Sequence, residues 1–121
     1  MPSITRRLHI AILGGGPSAL FIYKRLVESQ RTDLQIDIFE RSSQLGAGMP
    51  YSKAGACSEH VTNVSGNAIP ELVTSLPEWI KNQPVDQLKP FQLDPSTSSP
   101  YRVVPRLLFG QYLAAQFDLL Q

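Results

Sequence analysis

The sequence predicts an α/β fold, a parallel sheet with flanking helices built on one βαβ unit. Three observations carry this. Leu8–Leu13 is a nearly unbroken apolar run of strand length, and it stops at the triplet Gly14-Gly15-Gly16. From Pro17 to about Ser29, apolar residues recur at helical spacing. Ala19, Leu20, Tyr23, Leu26 and Val27 share one face, and Lys24, Arg25 and Glu28 the other. Leu34–Glu40 then alternates apolar and polar residues with period two, a second strand that the crossover makes parallel to the first.

Each element has a local cause. The continuous apolar character of Leu8–Leu13 predicts a strand buried on both faces of a parallel sheet. Gly14 lets the chain turn tightly out of that strand. Gly16 has no side chain, so an anion can come close to the backbone, and Ala19 is small enough for the helix to pack on the sheet. Pro17 gives up a donor that the first helical turn leaves unpaired anyway. The N–H groups of that turn, with the helix dipole behind them, favour a phosphate. Gly14, Gly15, Gly16, Pro17, Ser18 and Ala19 are therefore candidates for holding a dinucleotide pyrophosphate, in the manner of a Rossmann-like turn.

Glu40 ends the second strand, where a carboxylate accepts both hydroxyls of an adenosine ribose and repels a 2′-phosphate. The gap from the glycines to Glu40 exceeds the usual spacing of about 20 residues. A longer helix and the polar loop Ser29–Asp33 absorb the difference.

Composition bounds the remaining possibilities. The chain has 121 residues, enough for one modest core, and a net charge of +1. Nothing in that balance points to nucleic acid or an anionic membrane as partner, and a small-molecule substrate is the expected one. Cys57 is the single cysteine, which rules out an internal disulfide or a cysteine-based metal cluster and fits a reducing, cytoplasmic setting. No apolar run is long enough to cross a bilayer as a helix. Arg6-Arg7 before an apolar stretch resembles a signal peptide only superficially, since three glycines and a proline cut the stretch short. Met1–Arg7 reads as a short tail.

Beyond Glu40 periodicity fades. Arg41 to about Thr74 reads as an extended loop, long enough that lining a site is its expected role. Ser75-Leu76-Pro77-Glu78 fits a capping box opening a short helix with Trp79 and Ile80. Gln83–Pro100 reads as loop. Pro105 opens a last helix with Leu108, Tyr112, Ala115 and Leu119 on one stripe. Only two strands are clear, whereas a dinucleotide fold needs at least three. The expected architecture is thus an incomplete one, residues 1–121 forming the N-terminal part of a single dinucleotide-binding domain.

Four words in order, Gly14–Ser18, Gly46–Tyr51, Asn63-Val64 and Arg106–Leu113, make the chain resemble the FAD-NAD(P)-binding domain family. That family belongs with two-dinucleotide flavoproteins of the glutathione-reductase type. The resemblance implies FAD as cofactor, with NAD(P)H delivering hydride in a full-length enzyme. It implies that Gly46 and Gly48 let backbone N–H groups approach the FAD phosphates or ribityl chain. Arg41 would stack on adenine, and Arg106 would reach the phosphates from the far side. A flavin-dependent oxidoreductase, monooxygenase-like in its outcome, is the class implied.

No residue reads as a catalytic acid, base or nucleophile. His9 lies within the first strand, His60 sits in a loop without a visible partner, and Cys57 lacks the second cysteine of a redox-active disulfide. Trp79, Phe91 and Phe109 read as residues that fill the core or cover loops. Two other classes fit the residues: an NAD-dependent dehydrogenase whose first Rossmann unit this is, and a truncated, non-catalytic nucleotide-binding fragment.

Overall fold

A computed structural model describes residues 6–96, 99 and 101–121. Most of the tail expected at Met1–Arg7, and part of the loop expected up to Pro100, lie outside these residues. The architecture is α/β. Strand β1 (Leu8–Leu13) leads through the glycine turn into helix α1 (Pro17–Glu28) and on to strand β2 (Leu34–Phe39). The two strands pair in parallel, with Leu8 opposite Leu34 and Leu13 opposite Phe39. At the N-terminal end of the ladder Leu8 N–H donates to the Asp33 carbonyl, and at the other Gly14 N–H donates to the Phe39 carbonyl (2.7 and 2.8 Å). Asp33 itself closes the preceding loop by a two-bond pair with the Arg31 guanidinium (2.9 and 2.7 Å).

Three helices follow: α2 (Leu76–Lys81), α3 (Val85–Leu88) and α4 (Arg106–Leu120). Ser75 caps α2 as its sequence predicts, its Oγ accepting from Glu78 N–H (3.3 Å). The reciprocal half of the capping box, from the Glu78 side chain, does not form among the described residues. The Gln83–Pro100 segment is not all loop. Pro84 presets the backbone and offers its carbonyl to Gln87 and Leu88, so α3 forms and plants the fully buried Leu88 in the core. A 3₁₀ turn, Lys89–Phe91, continues it. Between Arg41 and Thr74 the chain is irregular apart from 3₁₀ turns at Met49–Tyr51 and Gly66–Ala68.

The core centres on α4, which is covered nearly all round. Leu108, Phe109, Tyr112, Leu113, Gln116 and Phe117 are buried, whereas Leu119, expected on the inner stripe, is exposed. The stripe is wider than the expected one because α1, α2 and the long loop contact α4 from different sides. Tyr23 of α1 stacks on Phe117 (5.2 Å), Trp79 of α2 meets Tyr112 edge-on (5.7 Å), and Tyr51 of the loop meets Phe109 edge-on (4.9 Å). Gln116 Oε1 accepts from Thr74 N–H (2.7 Å), and the Tyr112 hydroxyl donates to the Thr74 carbonyl (2.6 Å), so one loop residue is gripped twice.

A further expectation fails. β1 is not buried on both faces: Leu8 and Leu13 are exposed, as is Phe39 on β2. The face carrying Leu8, Ile10 and Ile12 is the better covered, while His9, Ala11 and Leu13 face outward beside Gln35, Asp37 and Phe39. The apolar run of β1 is thus half used among the described residues.

Candidate functional site

The site grows out of the carboxyl ends of the two strands. The chain leaves β1 through Gly14, whose φ of +93° is open to glycine and strained for other residues. A β-carbon there would meet nothing within 4 Å. Conformation, not crowding, requires this glycine. At Gly16 the reverse holds: its φ is ordinary (−80°), and a β-carbon would only touch Gly48 Cα at 3.5 Å. Packing does not require a glycine at 16, and its bareness keeps the backbone accessible. Gly16, Ser18 and Ala19 N–H groups find no protein acceptor among the described residues, the helical ladder beginning with Leu20 N–H on the Gly16 carbonyl. Three donors at a helix N-terminus without partners form an anion cradle.

The second glycine loop is bound to the first. Gly46 N–H donates to the Gly15 carbonyl (2.6 Å), and Gly48 approaches Gly16 so closely that a β-carbon on it would lie 3.2 Å from Gly16 Cα. Gly46, at φ +105°, sits against α4, where a β-carbon would lie 2.6 Å from the Leu113 carbonyl oxygen. Gly110 allows a similar approach from the helix side, against the Tyr51 carbonyl. Together these contacts join turn, loop and α4.

Glu40 stands where β2 delivers it, half-buried, its Oε1 accepting a long bond from Gly15 N–H (3.4 Å). It takes part in no ion pair among the described residues, so its remaining acceptor capacity is open. Glu40, Arg41, Gly48, Tyr51, Lys53 and Gln111 are among the residues lining a cleft of about 560 Å³. That size suits a small-molecule or cofactor moiety. The wall carries one carboxylate and two cations, Arg41 and Lys53, a charge set that suits a ribose hydroxyl pair and phosphate oxygens.

Gly14 to Ala19, Glu40, Gly46 and Gly48 are thus brought together, and Arg41 lies exposed on the cleft wall. Arg106 is placed differently. Its Nε donates to the Val61 carbonyl (3.0 Å) and its Nη2 to Asn63 Oδ1 (3.4 Å), while its backbone N–H donates to the His60 carbonyl (2.9 Å). It straps the loop to the start of α4 and does not line the cleft. Lys53 and Gln111 line the cleft without a sequence signal of their own, although Gly110 inside a helix hints at a close approach beside Gln111.

The two histidines and the cysteine stand apart. His9 is exposed on the open sheet face. His60 is exposed, and its Nδ1 accepts from Cys57 N–H (3.2 Å). The Cys57 thiol and nearby backbone hold the Glu59 carboxyl below its ordinary range.

Comparisons with known proteins place the chain in a family. A protein of Escherichia coli (strain K12), described as uncharacterized protein YdhS, is 32% identical over 108 residues. The match takes in 89% of this chain and 20% of YdhS, so the chain spans about a fifth of that relative's length. No solved structure matches. No described helix is long and apolar enough to cross a membrane. The family model described as FAD-NAD(P)-binding matches residues 11–121, which takes in the glycine turn, Glu40 and all of α4, and the chain belongs to that family.

Proposed function

We propose that this chain is the FAD-binding portion of a flavin-dependent oxidoreductase. In this reading the N–H groups of Gly16, Ser18 and Ala19 take the pyrophosphate. Glu40 accepts the adenosine ribose hydroxyls, and Arg41 lies flat against adenine. Gly46 and Gly48 keep the second loop bare for the remaining phosphate oxygens or ribityl chain. FAD supplies the redox chemistry when bound, and these residues supply binding, orientation and local charge. The observation that carries the reading is the meeting of the glycine cradle, an unpaired Glu40 and the Gly46–Tyr51 loop at one place.

A plain nicotinamide site needs the first two of these and gives no reason for the third. In a full-length enzyme NAD(P)H would reduce the flavin, and a small-molecule substrate or oxygen would accept the electrons. Exposed Cys57, alone in the sequence, fits a cytoplasmic setting for that chemistry. The test is the visible spectrum of the chain after incubation with FAD and gel filtration. Flavin absorption co-eluting with protein supports the reading. A colourless protein that NAD protects against heat would replace it with a nicotinamide site.

A further inference from the structure

Helix α4 brings a side-chain amide to the cleft, and α3 sets which way that amide points. Gln111 of α4 lines the cleft together with Glu40 and Arg41. Its Oε1 accepts from Gln87 Nε2 of α3 (3.0 Å), a bond between residues 24 apart in sequence. The fully buried Leu88 anchors α3 in the core and so keeps Gln87 in place. An amide oxygen has two lone pairs, so Gln111 Oε1 keeps one after this bond. Its Nε2 donors find no protein acceptor among the described residues. With Gln87 donating, Gln111 therefore has one acceptor site and one donor, adjacent on the same amide, left for a ligand. Such a pair matches adenine, whose 6-amino group donates beside a ring nitrogen that accepts. A 6-oxo purine, hypoxanthine or guanine, would instead set its O6 against the Gln111 oxygen.

We propose that Gln111 determines specificity for adenine, accepting from the 6-amino group and donating from Nε2 to the adjoining ring nitrogen. Gln87 is a positioning residue that holds the amide in this sense. These roles rest on one part of the flavin reading, the placing of adenosine at Glu40 and Arg41. They apply equally to a nicotinamide dinucleotide held there.

The test is titration of the chain with ADP and IDP, and with FAD and flavin hypoxanthine dinucleotide. Each pair differs only in the purine base. The adenine ligand is expected to bind at least about tenfold tighter in both pairs. Gln111→Ala should bring each ratio to within about twofold of one. Gln87→Lys still donates and should keep the preference. Gln87→Glu only accepts, so the Gln111 amide turns over, its remaining N–H meets O6, and the preference reverses toward IDP. The charge that either substitution adds acts on both bases alike and cancels in the ratio. Equal binding of ADP and IDP by the parent, or one ratio shared by Gln87→Lys and Gln87→Glu, would overturn the proposal. ADP selectivity in a chain that retains no FAD would support it and count against the flavin reading. FAD retained no better than its hypoxanthine analogue would do the reverse. A chain that binds neither ADP nor FAD would overturn both.

Discussion

Glycines 16 and 46 look alike in the sequence and differ in what the structure asks of them. Gly16 has ordinary backbone angles and room for a methyl group, so Gly16→Ala should fold normally. Its methyl would stand in the cradle, and retention of FAD on gel filtration should fall sharply while Tm stays within a degree or two of the parent's. Gly46→Ala should do the opposite. A side chain at positive φ costs about 1–3 kcal/mol, and this one would also press on the Leu113 carbonyl. A fall in Tm of more than about 5 °C is the expected result. Glu40→Gln preserves an acceptor for Gly15 N–H and removes the charge that a ribose hydroxyl pair would use. Losing a charge-assisted bond costs about 1.5–3 kcal/mol, so adenosine-ligand affinity should drop roughly ten- to hundredfold by titration calorimetry.

At the scale of elements, Arg106 separates what the residues imply from what packing makes of them. The family resemblance implies a phosphate contact, yet the guanidinium is engaged with Val61 and Asn63. Arg106→Ala should therefore speed hydrogen exchange across His60–Val64 and cost about 1–2 kcal/mol of stability, with bound FAD little affected. A variant that loses FAD with the loop unchanged would instead support the phosphate role that the resemblance implies. The same contrast explains how far the fold could be read beforehand. β1, α1 and β2 were legible because apolar periodicity and the Gly14–Gly16 break are local signals, and the position of Glu40 because it directly follows the period-two pattern of β2. The 3₁₀ turns and α3 were not, since Leu88 holds its helix through burial that no neighbouring residue announces. Nor was the covering of β1 legible, because an apolar run does not say which of its faces finds a partner. Lys53 reaches the cleft only through the path of an irregular loop, for which sequence has no period.

For the whole molecule, α4 is the spine against which α1, α2 and the long loop are assembled. Its Tyr112 hydroxyl ties the long loop to it by donating to the Thr74 carbonyl. Burial, with the Glu71 charge adding to it, pushes the Tyr112 hydroxyl up to about 12. An unfolded tyrosine ionises near 10, so the folded chain keeps a proton that the unfolded chain has released between those values. Stability is then independent of this group below about pH 10, falls as pH rises through the window from about 10 to about 12, and levels off above it. Tyr112→Phe removes the group. At neutral pH the variant should be less stable by about 1 kcal/mol through the lost hydrogen bond. As pH climbs from about 10 toward about 12 the gap should narrow, because only the parent suffers the tyrosine ionisation. Urea midpoints for both proteins across that range check it, and parallel curves would show that Tyr112 ionises no differently in the folded and unfolded chains.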